Sequence, residues 1–221
     1  YLDNLTYALP LLEQYGLHAT VFITAGNIEQ GKQFWGDRVE FLFLGRHPLP
    51  KLLDYSDERK RYQWQLNTPI QRLRAHDQIR AILRNKPHRQ IELFVQDLYR
   101  WAGIEESVES YRPVLNRQQL LRLSQSTFIE IGGHTMTHTK LSILPMVQQK
   151  NEIEECKKKL ESWIGKPVTV FSYPYGTSAD FTKHTKQLVQ AAGFQYGISN
   201  SQGSVELQPD FYSIPRRLVR N

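Results

Sequence analysis

Apolar positions change their period several times along the chain, and each change marks an element. Asp3 can cap a helix on which Leu5, Ala8, Leu9 and Leu12 share one face, with Gly16 closing it. Pro10 falls inside that stretch and predicts a kink. The following HATVFITAG, His18–Gly26, is a β-branched run ended by glycine and reads as a buried strand. Residues 29–115 differ: rich in Arg, Gln, Leu and aromatics, with helical patches such as PIQRLRAHDQIRAILRN and RQIELFVQDLYRWAG, they read as a mostly helical insertion. Strand–helix alternation then resumes. Asn116 caps RQQLLRLSQS, and TFIEI is a strand. PMVQQKNEIEECKKKLESWIG is a long amphipathic helix, with Pro145 near its start and Gly165 at its end. PVTVFSY, FQYGIS and YSIP are further strands, with the helix KHTKQLVQAAG before the second of them. No internal repeat interrupts the order. A single α/β domain follows, either a (β/α) barrel or an open doubly wound sheet, and in both the C-terminal strand ends carry the chemistry.

Composition narrows the field of partners. The net charge of +6 is spread out, densest at Asp57–Arg61 and Arg72–Arg89. No nucleic-acid motif accompanies it, so the basic excess reads as a solvated surface and no nucleic-acid partner is expected. No run of 18 apolar residues is present, so no transmembrane segment is expected. The single cysteine, Cys156, excludes an intrachain disulfide and reads as a partly buried bystander on its helix. The chain opens on Tyr1 with no signal peptide, and reads as a processed or cut piece.

The candidate chemistry sits at two strand ends. In IEIGGHTMTHTKL, His134 and His138 stand four apart, a spacing that puts both imidazoles on one side of a helical turn. Neutral imidazole is a common zinc ligand; the alternative is a structural pair. Gly132 and Gly133 would let the backbone approach that point closely, and Thr135, Thr137 and Thr139 would offer oxygens to orient the rings. No Glu follows His134, which excludes the helical metalloprotease motif. FSYPYG, Phe171–Gly176, ends the next strand. Its turn either points a backbone N–H into the cleft as an oxyanion donor or is a plain aromatic turn. His47, His76 and His88 read as surface residues, and no carboxylate cluster near the His pair supports a two-metal nuclease or phosphatase.

Taken together, IGGHTMTHTKLS, a spacer of about thirty residues and VFSYPYG resemble the second and third motifs of the polysaccharide deacetylases, carbohydrate esterase family four. The opening YLDNLTYALPLLEQYGLHATVFITAG is similar to the segment that follows that family's first motif. FWGDRVEFLFL, YRWAG and the closing SIPRRLVRN resemble a bacterial subgroup linked to capsule or surface polysaccharides. The resemblance implies a distorted (β/α)7 barrel, here with its first strand missing, and a divalent metal, zinc above others, held by one Asp and two His. It carries His134 and His138 over as metal ligands, Tyr175 as the donor of an oxyanion-stabilising backbone N–H, and Tyr173, Pro174 and Gly176 as substrate-binding positions. The implied reaction is attack of metal-activated water on the acetyl group of an N- or O-acetylated carbohydrate polymer. The family's Asp pair is not in this chain, Asp3 reads as a helix cap instead, Ser172 stands where an Arg is common, and Arg220 stands where many members carry a terminal His. His184 is a conceivable substitute acid. The alternative is a non-catalytic carbohydrate-binding pseudoenzyme domain, with Trp35, Trp163, Tyr173 and Tyr175 as stacking faces. A barrel short of one strand exposes two edges, which a homodimer would cover. A bacterial protein is implied, cytoplasmic or associated with the cell envelope.

Overall fold

The computed structural model describes residues 1–56, 60–106, 113–205 and 210–217. The chain divides into two compact units, one from residues 1–32 and 113–221 and the other from residues 33–112.

The first unit is a parallel α/β layer structure. Its sheet has the order β1-β4-β5-β6, from Ala19–Ile23, Ile129–Gly133, Val170–Ser172 and Tyr196–Ile198, every pairing parallel. Ile214 adds a parallel bridge to Ile198, which is all that forms of the expected YSIP strand. β1 is shorter than its apolar run because the end of that run turns into a helix, and β4 extends two residues past its own run, through Gly133. The alternation Val21, Ile23 on β1 and Ile129, Ile131 on β4 turns one face onto the helices, where Ile153, Cys156 and Leu160 pack. That buried stripe recurs at the spacing of one helical face on α7, Met146–Ile164, which ends at left-handed Gly165 as its sequence predicts. Gly132 and Gly133 are required by this packing. A Cβ on Gly132 would lie 2.5 Å from the Phe22 ring, and one on Gly133 would lie 3.0 Å from the Phe194 ring. The pair makes room for neighbouring aromatics rather than for an approach to the histidines.

The opening helix is wide before it is regular. Asn4–Ala8 is a π turn and Leu9–Tyr15 is α1, with Pro10 near its start and Gly16 closing it. Pro10 has no N–H to give and its ring would crowd the carbonyl four residues back, so the turn opens and the Leu9 N–H reaches the Asn4 carbonyl instead. Asp3 accepts a hydrogen bond from the Asn4 N–H at 3.0 Å and its side chain is exposed, as a cap requires. Asn116 and Gln119 form a capping box on α6, Arg117–Gln125. Short α2, Ala25–Gln30, begins where the strand run was expected to continue.

The second unit is helical with a hairpin. Helices α3, α4 and α5 are Trp35–Leu44, Pro69–Leu83 and His88–Ala102, and β2, Leu52–Ser56, pairs antiparallel with β3, Arg61–Gln65. The hairpin is the non-helical part of the expected mostly helical insertion. Its period of two is present, with Leu53 and Trp64 buried opposite each other while Asp54, Arg61 and Gln63 bond one another on the outer face. Arg38 is 1% exposed and meets Glu92 through two hydrogen bonds of 2.8 and 2.9 Å. Its Nε lies 2.5 Å from Glu106, an ion pair without hydrogen-bond alignment. His76, expected at the surface, is buried with Nδ1 on Asp77. Among the described residues no helix is long and apolar enough to cross a membrane.

Candidate metal centre and its loop

The C-terminal ends of β4 and β5 bring together the two stretches singled out in the sequence. His134 follows directly on β4. Its backbone N–H bonds the Ile23 carbonyl of β1 at 2.9 Å, and its carbonyl accepts from the Thr24 hydroxyl at 3.2 Å. Tyr1 closes this corner, its hydroxyl accepting from the Thr24 N–H at 3.1 Å.

The His134 ring is fixed by β5. Nδ1 lies 2.6 Å from the Ser172 carbonyl oxygen. A carbonyl can only accept, so Nδ1 carries the proton and the lone pair is on Nε2. Burial pushes His134 down to about 4, opposed by that hydrogen bond and aided by the positive charge of Arg216, so the ring is neutral at physiological pH. The His138 ring stands 4.8 Å from that of His134, centroid to centroid and inclined by 73°. On its other side the Tyr175 ring stacks edgewise at 5.1 Å.

The backbone between the histidines is strained. Thr135 and His138 have φ of 65° and 56°, and Tyr175 on the facing turn has 62°; these are the non-glycine residues with positive φ among those described. Each costs about 1–2 kcal/mol for a residue with a Cβ, and strain of this kind gathers at functional sites held by their surroundings. The holding groups are identifiable. Thr135 Oγ1 accepts the His138 N–H at 3.0 Å. The Thr135 and Met136 carbonyls accept from the first amides of α2, Ala25 at 3.1 Å and Gly26 at 2.9 Å. A Cβ on Gly26 would sit 2.4 Å from the Met136 oxygen, so only glycine allows that approach.

The last of these groups is Glu152, from α7. It accepts from the Met136 and Thr137 N–H groups at 3.0 and 2.9 Å and from the Thr137 hydroxyl at 2.7 Å. Burial raises its pKa against the lowering effect of those bonds. Glu152 went unnoticed in the sequence, although it stands on the stripe Gln149, Ile153, Cys156 and Leu160 that α7 buries. The threonines steady the loop rather than the imidazole rings.

On β5 the turn is likewise built from local bonds. Gly176 N–H bonds the Pro174 carbonyl at 2.7 Å, and the Gly176 carbonyl accepts from Asn200 at 2.7 Å. Tyr173 is 1% exposed, stacks on Phe181 and donates its hydroxyl to the Tyr212 carbonyl at 2.8 Å. Its ring is core, which corrects its expected role as a sugar-stacking face. Trp35 is buried too, and Trp163 is covered by the Arg117 guanidinium. Tyr175 is the half-buried aromatic beside the histidines. Pro174 and Gly176 are buried and contribute backbone only. Ser172 is buried and its hydroxyl makes no hydrogen bond among the described residues. Arg216 reaches this edge, its Nε donating to the Ser199 carbonyl at 2.8 Å. His184 is exposed on α8, Lys183–Ala191, and Arg220 lies outside the described residues. Cys156 is fully buried, with its thiol pushed up to about 12 by burial.

Residues 93–197 match the family model described as Polysaccharide deacetylase. Over those residues, a little under half of the chain, it is similar to the polysaccharide deacetylases. It is similar to the Bacillus subtilis (strain 168) protein YxkH, whose name places it among the polysaccharide deacetylases, with 26% identity over 102 residues, 46% of this chain and 35% of YxkH. The fold of the chain is shared with the Streptococcus pyogenes deacetylase PplD solved with acetate, at a TM-score of 0.57 and 14% identity over 97% of this chain and 58% of PplD. It is shared also with the deacetylase domain of BpsB from Bordetella bronchiseptica, at a TM-score of 0.54 and 15% identity over 99% of this chain and 67% of that one. The chain thus spans about a third of YxkH and little more than half of PplD.

The His pair suits a divalent metal by its chemistry. One ring presents a free Nε2 by hydrogen-bond necessity, and the second faces it at close range. Among the described residues no third His, Cys, Asp or Glu joins them.

Proposed function

We propose that the protein is a metal-dependent deacetylase of acetylated carbohydrate polymers, with this chain as part of its catalytic domain and the sheet as part of a distorted (β/α)7 barrel. The observation that carries this reading is the Nδ1–H of His134 bound to the Ser172 carbonyl, which leaves Nε2 as a donor beside His138. His134 and His138 hold the metal, with zinc the metal proposed. When bound, the cation supplies Lewis-acid chemistry, polarising an acetyl oxygen and easing deprotonation of water. The chain's own residues do the rest. Ser172 fixes the tautomer of His134, Tyr175 limits the swing of the His138 ring, and the left-handed backbone at Tyr175 presents its N–H toward a developing oxyanion. Pro174 and Gly176 shape the turn that carries it.

The test is acetate release from acetylated glucosamine oligomers with and without zinc, on this chain and on a version extended at its N-terminus to bring in the carboxylate that the resemblance calls for. Zinc-dependent release by the extended form supports the reading, and absence of release from both forms on N- and O-acetylated substrates contradicts it. A carbohydrate-binding domain without catalysis is the second reading. It is favoured by the two-donor set of the described residues, and sugar binding indifferent to metal chelation would select it.

A further inference from the structure

We propose that Glu152 is the positioning residue that sets His138 as a metal donor. This rests on the metal-site reading above. Three of the carboxylate's accepted hydrogen bonds come from a two-residue segment, the Met136 and Thr137 amides and the Thr137 hydroxyl. That segment lies between the two left-handed residues, Thr135 and His138. Glu152 therefore grips the span that must reverse twice between the histidines. Its neighbours Glu154 and Glu155 face outward to Lys150 and Lys158, so the inward acid is a property of position 152 and not of an acidic helix.

Glu152 completes a hold on this loop that α2 begins. The carbonyls of Thr135 and Met136 are already fixed by α2, and the His138 N–H by Thr135 Oγ1. Those two carbonyls belong to the same planar peptides as the Met136 and Thr137 N–H groups, so α2 holds each peptide at its oxygen while Glu152 Oε2 holds it at its nitrogen. Rotation of those peptides would turn the residue that follows, His138, out of the left-handed region. Its ring would then leave its place between His134 and Tyr175. Thr139 extends the grip, 2.7 Å from Thr137 Oγ1. Since the Thr137 hydroxyl proton is given to Glu152, Thr139 is the donor in that contact.

Glu152→Gln tests the idea with minimal change of shape. One amide oxygen can replace one carboxylate oxygen, but the NH2 group cannot accept from the remaining donors. Zinc affinity should fall about 10–100-fold, the range for groups that orient metal ligands, with the melting temperature little changed. The visible spectrum of the cobalt(II) form should shift, and amide exchange at Met136 and Thr137 should accelerate at least tenfold. Measurements use whichever form, the 221-residue chain or its N-terminal extension, binds zinc more tightly. Glu152→Asp keeps the charge but shortens the reach, and should fall between wild type and Gln; it serves as the second variant should Gln fail to fold. Glu155→Gln is the control that leaves all readouts in place. Unchanged zinc affinity and cobalt spectrum in the Gln and Asp variants would overturn the role of Glu152 while leaving the metal site standing. A wild-type protein that binds neither zinc nor cobalt would instead remove the metal site itself, and the inference with it.

Discussion

Each unit turns a charged side chain inward, Arg38 fully buried and Glu152 half-buried, and the two are used differently. In residues 33–112, Arg38 is enclosed and answered by the carboxylates of Glu92 and Glu106. The backbone around it is an ordinary helix, α3, and the cluster ties one element to others. In the sheet unit, no cation among the described residues pairs with Glu152. Its bonds go to amides and a hydroxyl of a loop whose residues sit in left-handed conformations. Opposite charge around a buried ion is sufficient for architecture. An inward carboxylate engaged with strained backbone indicates that a particular loop shape is being maintained, and here that loop holds the two histidines.

The contrast can be broken at either end. Arg38→Ala should have the largest effect on stability, about 3–5 kcal/mol, because it leaves two carboxylates without their partner. Zinc affinity should be unaffected, and denaturant melts beside zinc titration check both statements. Gly26→Ala should cost about 1–3 kcal/mol, because its Cβ would meet the Met136 oxygen at 2.4 Å and displace the loop. Unlike Arg38→Ala, it should weaken zinc binding as well. His138→Gly should leave stability within about 1 kcal/mol of wild type, since glycine is at ease at φ 56°, yet it should abolish tight zinc binding. The smallest effect concerns Cys156. With its thiol at about 12 and fully buried, it should resist alkylation at pH 8 in the native protein and react only after unfolding. Rapid native labelling would mean that α7 opens far more readily than its packing implies.

The sheet, its parallel order and the capped helices were legible because period and capping are local signals. Asn116 with Gln119, Pro145 with Gly165 and the β-branched run before Gly26 each state their element within a few residues. The hairpin at 52–65 was less legible, because its outer face of Asp54, Arg61 and Gln63 gives it the polar texture of the helices around it. The histidines were legible from spacing, but the reason they can act as a pair was not. The Ser172 carbonyl that fixes the tautomer of His134 comes from 38 residues downstream, and backbone atoms leave no mark on a sequence. Sequence alone left Tyr173 open between core packing and a stacking face, and its contacts place its ring against Phe171 in the core. Glu152 could have been found. It was a charged residue in phase with an apolar stripe, and such a residue needs a partner once the helix packs.

The central claim is that the two imidazoles bind one metal. X-ray absorption at the zinc edge of the loaded protein tests it directly. Two imidazoles per zinc at about 2.0–2.1 Å, falling to one in His138→Gly, is the predicted result. Zinc bound with no imidazole scattering, or scattering unchanged in that variant, would contradict it.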